Sequence, residues 1–141
     1  MRIKSYLILT LLCLGLRIPG SIAQEHQEIS AQKIAISYFE ALTSGDMKKA
    51  DELATVPYSF DGRETLTKKQ QVEQKHREIL EDKGRRNIPD YTVTVPEHLE
   101  PLAPKVFPKY EIYRINVHGV NMYLDIYVKA GKNPKVIGFR D

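Results

Sequence analysis

The sequence has one cysteine and no tryptophan in 141 residues. A single thiol excludes an internal disulfide framework and a Cys₄ zinc site. No Gly-x-Ser-x-Gly, P-loop or Gly-x-Gly-x-x-Gly motif occurs, so three common enzyme signatures are missing. No two of the four histidines stand at metal-ligand spacing such as i, i+4, and no metal or other cofactor is expected. The longest apolar run, residues 6–16, is shorter than the roughly 20 residues that cross a bilayer as a helix. The length allows one ordinary domain and is too short for a barrel enzyme. A hydrophobic fraction of 42% excludes both a disordered chain and a polytopic membrane protein.

What is present begins with an address. Arg2 and Lys4 precede the apolar run, and Ser21-Ile22-Ala23 puts small residues where a signal peptidase inspects the chain. Residues 1–23 therefore read as a secretory signal, cleaved before Gln24, and the protein is expected to be secreted or periplasmic. The segment takes Arg2, Lys4, Arg17 and Cys13 with it. The mature chain then holds 18 basic and 18 acidic residues and no cysteine, which suits an oxidising compartment. A neutral chain attracts phosphate weakly, so nucleic acid is not expected as a partner, nor is a membrane once the signal is gone.

Residues 24–29 read as a disordered lead-in, and residues 30–141 as one domain. Ser30 is a candidate N-cap for a first helix, whose stripe is Ala31, Ile34, Ala35, Tyr38, Ala41 and Leu42. Ser44-Gly45-Asp46 ends it and caps a short second helix on Met47, Ala50, Leu53 and Ala54. Pro57 to Gly62 reads as an extended piece closed by an Asp-Gly turn. A third helix is predicted over 66–83, capped by Thr67 and Gln70, with Val72, His76, Ile79 and Leu80 on its inner stripe. Five of the eight prolines fall in 89–108, leaving only 91–95 as a strand there. The rest of 84–109 reads as a long connection, either a lid or a packed loop. Strands are predicted at 110–117 and 120–128 about a His118-Gly119 turn, and at 135–140.

Alternation divides the predicted hairpin into two faces. Tyr113, Ile115, Val117, Met122, Leu124, Ile126 and Val128 make the apolar face. Arg114, Tyr123 and Asp125 fall on the other, with Arg114 opposite Tyr123 or Asp125 according to the loop chosen. This mixed face is a candidate binding site, and the plainer reading is an outer face with cross-strand ion pairs. Asp125 is the candidate base on the sheet. His76 is a second acid/base candidate, the plainer reading being a hydrogen-bonded core histidine. Tyr38 and Tyr58 are candidates for a pocket mouth, the plainer reading for each being core packing.

The residues Tyr38-Phe39-Glu40-Ala41-Leu42-Thr43-Ser44-Gly45-Asp46, the stretch Pro57-Tyr58-Ser59-Phe60-Asp61-Gly62 and the terminal Val136-Ile137-Gly138-Phe139-Arg140-Asp141 resemble small secreted bacterial members of the NTF2-like (cystatin-like) superfamily. That resemblance implies an α+β domain, with N-terminal helices packed on a curved antiparallel sheet in a cone. The superfamily includes ketosteroid isomerases and dehydratases, but none of their catalytic positions carries over residue by residue.

The sequence thus favours a secreted, non-catalytic binding or accessory domain, taking a small molecule or protein segment on the sheet face of Arg114, Tyr123 and Asp125. The alternative is a small isomerase or lyase with Asp125 or His76 as base inside the cone. A homodimer paired through the sheet is the third reading.

Overall fold

The computed structural model describes residues 19–85, 90–99, 111–119 and 122–141. The signal segment up to residue 18 and the connection at 86–89 and 100–110, with its lid or loop, lie outside the described residues.

The first helix, α1, runs from Pro19 to Ser44 without a break. The expected lead-in at 24–29 is helical and Ser30 is internal, not a cap. The reason is local: Gln24 to Ile29 contains no proline or glycine and is rich in Gln and Glu, both good helix formers. Packing begins only at Ala31, after which Ala35, Tyr38, Phe39, Ala41 and Leu42 are buried. Gly45 then turns the chain with φ of 81°, a conformation that glycine adopts without steric penalty. The Arg85 side chain lies against it. Asp46 caps the second helix, α2 (Met47–Leu53), by accepting the Lys49 N–H at 3.1 Å.

Strand β1 (Ala54–Phe60) turns at Asp61-Gly62 into β2 (Glu64–Leu66). Tyr58 pairs with Leu66, which places Leu66 in the sheet and delays the third helix, α3, to Lys69–Lys83. The capping glutamine is Gln71, not Gln70: its carbonyl accepts the N–H groups of Thr67 and Lys68 at 3.2 and 3.0 Å. The remaining strands are β3 (Tyr91–Val93), β4 (Glu97–Leu99), β5 (Ile112–Gly119), β6 (Met122–Lys129) and β7 (Lys135–Arg140).

The strands form one sheet in the order β2-β1-β7-β6-β5-β3, with β4 also on β5. It is mixed, since β1 runs parallel to β7 while the other pairs are antiparallel. The sheet is thus mostly antiparallel, as the resemblance implies, with one parallel seam. Ser59 pairs with Gly138 there, and a Cβ on Gly138 would stand 2.5 Å from the Ser59 carbonyl oxygen. The hairpin expectation changes in register and not in faces. His118 and Gly119 belong to β5, opposite Tyr123 and Met122, so Arg114 faces Tyr127 and Asn116 faces Asp125. A shift by four residues, or by two from the other loop, preserves which side each residue faces.

Strands β3 and β4 lie in tandem along β5, against 117–119 and 112–114. Thr94 bridges the interval: its N–H donates to the Asn116 carbonyl, and its hydroxyl accepts the Asn116 N–H at 3.1 Å. Pro96, which has no N–H, follows in that interval.

All three helices lie on one side of the sheet. Tyr113, Ile115, Val117, Leu124, Ile126, Val128, Val136 and Phe139 join Tyr38, Phe39, Ala50 and Val72 in one core. This is an α+β domain with helices first and sheet after, the layering that the resemblance implies.

Candidate functional site

The chemically richest residues meet between the helices and β1. Tyr38 comes from α1, Asp51 from α2, Tyr58 from β1 and His76 from α3. The Tyr38 hydroxyl lies 2.5 Å from that of Tyr58 and 2.7 Å from His76 Nε2. His76 Nδ1 lies 2.6 Å from the Asp51 carboxylate. Tyr38, Tyr58 and His76 are fully buried, while the Asp51 side chain keeps 21% of its surface exposed.

Donor roles follow from chemistry. An ionised carboxylate only accepts, so Nδ1–H donates to Asp51. The neutral ring then accepts at Nε2 from the Tyr38 O–H, and Tyr38 accepts from the Tyr58 O–H. Every buried side-chain polar atom among the described residues has a partner. Burial lowers the His76 pKa, with Asp51 and Glu73 pulling weakly the other way. Burial also raises both tyrosine pKa values, so both phenols stay protonated. The assembly is a neutral relay with a carboxylate at its outer end.

Next to it lies an open cleft of about 500 Å³ between α1, α3 and the sheet. Its floor is apolar: Phe39, Leu42, Phe60, Ile79, Leu124 and Phe139. Among the described residues its charged rim consists of Asp61, Glu78, Asp82 and Asp141 against Lys75 and Lys83. Lys75 is already engaged. It lies 3.3 Å from Glu78, 3.5 Å from Glu64 and 4.9 Å from the Phe60 ring centre. Lys83 lies 3.3 Å from Asp82.

The candidates from sequence separate into two groups. Tyr38, Tyr58 and His76 come together, but none of them lines the cleft. The expectation that Tyr38 and Tyr58 edge a pocket mouth is corrected: each sits on an inner stripe and is sealed by packing. Arg114, Tyr123 and Asp125 share the sheet face turned away from the helices, because Leu124 and Ile126 on either side of Asp125 point into the core. Among the described residues each has a different neighbour. Arg114 pairs with Glu97, Asp125 accepts from the Asn116 amide at 3.2 Å, and Tyr123 is 57% exposed beside His118. Asp125 and His76 are therefore on opposite sides of the sheet and do not form an acid/base pair.

Asp51 escaped the sequence reading. It stands four residues after Met47, on the border of the α2 stripe, and that spacing is the signal that could have flagged it. The cleft floor residues Phe39, Phe60 and Phe139 escaped as well, because an apolar residue lining a cleft has the same pattern as one in the core. Among the described residues no cluster of three or more His, Cys, Asp or Glu side chains is arranged to hold a metal. No helix among them is long and apolar enough to cross a membrane.

No family model and no curated protein matches the chain. Among solved structures, the chain is similar to a designed protein named Rd1NTF2_04 with long sheet. The identity is 18% and the TM-score 0.43, over 78% of this chain and 97% of that one. It is also similar to the Bd1075 structure from Bdellovibrio bacteriovorus, at 11% identity and TM-score 0.45. That match covers 86% of this chain, which spans 41% of the Bdellovibrio protein.

Proposed function

We propose that this protein is an exported, non-catalytic binding domain whose cleft takes a small apolar molecule carrying a cationic group. The observation that carries the reading is the cleft itself, whose apolar floor lies under a rim of four carboxylates and two lysines among the described residues, with Arg63 3.5 Å from one of the carboxylates, Asp61. Small-molecule sites are concave and mostly apolar, with a few polar groups fixing orientation. An excess of one charge sign at a cleft raises the local concentration of the opposite ion. Export rests on the signal pattern of residues 1–23. The acid/base alternative has less support, because the imidazole and phenols are sealed away from the cleft and Asp125 lies beyond the sheet. A sheet-paired dimer also has less support, since the outermost strands β2, β3 and β4 hold three residues each.

The test is displacement of Nile red, an apolar fluorophore, by octylamine, octanol and octanoate. Octylamine should displace it at the lowest concentration and octanoate at the highest. Ile79→Asp should weaken Nile red binding at least ten-fold. Equal potency of the three competitors would refute the cationic preference, and binding unaffected by Ile79→Asp would refute the cleft.

A further inference from the structure

The buried relay and the cleft share their walls. Tyr38 is followed by Phe39, Tyr58 lies two residues before Phe60, and His76 is flanked on α3 by Lys75 and Ile79. Each of these neighbours lines the cleft. Two of the relay's three hydrogen bonds thus tie together α1, β1 and α3, the elements that frame the site, and the third ties α3 to α2.

Protonation of His76 would reverse part of that relay. With a proton on Nε2, the ring must donate to the Tyr38 oxygen. Tyr38 can then no longer donate to the ring, and the two phenols bring two hydrogens to one O···O contact. One of the two O–H groups, with no second acceptor among the described residues, is left unpaired inside the core. A buried donor left unpaired carries a substantial penalty, and a buried charge a larger one. The groups facing the imidazole are Tyr38 from α1, Asp51 from α2, Tyr58 from β1 and Glu73 on α3 itself. The two carboxylates favour the imidazolium, but Asp51 is partly exposed and burial outweighs both.

We propose that the Asp51–His76–Tyr38–Tyr58 relay is an acid-sensitive latch on the cleft: protonation of His76 loosens α1, α3 and β1 and releases the bound molecule. This rests on the cleft as the binding site and adds its regulation. An alkylamine ordinarily titrates near pH 10, so the probe keeps its charge between pH 7.5 and 5.

Two readouts test it on the mature chain. The first needs no ligand: amide hydrogen exchange from pH 7.5 to 5, corrected for intrinsic rate. Protection across residues 38–44, 58–60 and 75–83 should fall together in acid. Asp51→Asn removes the carboxylate that favours the imidazolium, so the fall should move to lower pH. In His76→Gln it should vanish. The second is octylamine affinity by Nile red displacement, which should weaken at least ten-fold over the same range in the native protein and stay flat in His76→Gln. Wall protection independent of pH overturns the latch even if octylamine binds. An acid loss of affinity unchanged in both variants overturns it as well. Absence of octylamine binding at pH 7.5 refutes the cleft reading, and the latch with it, whatever the exchange data show.

Discussion

Tyr38 holds two hydrogen bonds through one oxygen, and that asymmetry separates it from its neighbours. Tyr38→Phe leaves both His76 Nε2 and the Tyr58 O–H without partners in the core. Tyr58→Phe removes only the terminal donor and leaves the Tyr38–His76 bond in place. A buried polar group left unpaired costs about 1–3 kcal/mol. Tyr38→Phe should therefore destabilise by about twice as much as Tyr58→Phe in urea unfolding at pH 7.5, and equal losses would refute the donor directions assigned here. Tyr38 and His76 are readable from sequence as members of inner stripes, and Tyr58 as a tyrosine of an extended piece whose plainer reading is core packing. Their meeting is not, because Tyr38 and His76 are joined across 38 positions and only the packing of α1 against α3 decides it. Asp51 was hidden by its place at the edge of a stripe.

Periodicity and turn chemistry located the elements well where a breaker marked their ends. The last strand is found at 135–140 as predicted, bounded by the Gly131 to Pro134 turn. The start of α1 was misplaced because nothing between Gln24 and Ser30 interrupts a helix. The register of β5 on β6 was missed by a multiple of two, since a two-residue period fixes faces and leaves the pairing to the turn. The parallel pairing of β1 with β7 left no local trace except a glycine. Gly138→Ala would drive a methyl group into the Ser59 backbone, which cannot yield as a flexible side chain would. Overpacking of this kind costs about 1–3 kcal/mol. The melting temperature should fall by several degrees, since about 1 kcal/mol shifts a domain of this size by roughly 4 °C.

For the molecule as a whole, the relay should set both limits of the pH range. His76 has a pKa lowered by burial, so the unfolded chain takes up its proton at higher pH than the folded one. Stability from the neutral imidazole is complete above about pH 6.5 and is lost as the pH falls below it. Tyr38 and Tyr58 have raised pKa values. Their contribution is complete below about pH 10 and is lost as the pH climbs beyond it. Urea midpoints measured across the pH scale should give a plateau between these limits. His76→Gln should flatten the acid slope and leave the alkaline slope unchanged.

The position of β7 has a consequence for how the chain is made. Among the described residues it is the last strand, yet it lies between β1 and β6 and is the sole hydrogen-bonded link between the β2-β1 pair and the β6-β5-β3 group. Until residues 135–140 leave the ribosome, those two groups have no shared hydrogen-bonded partner. Pairings this distant along the chain form late, because the loop must close before the contact rewards it. The two groups can therefore pair locally beforehand, and the sheet becomes one cooperative unit only once residues 135–140 have been made.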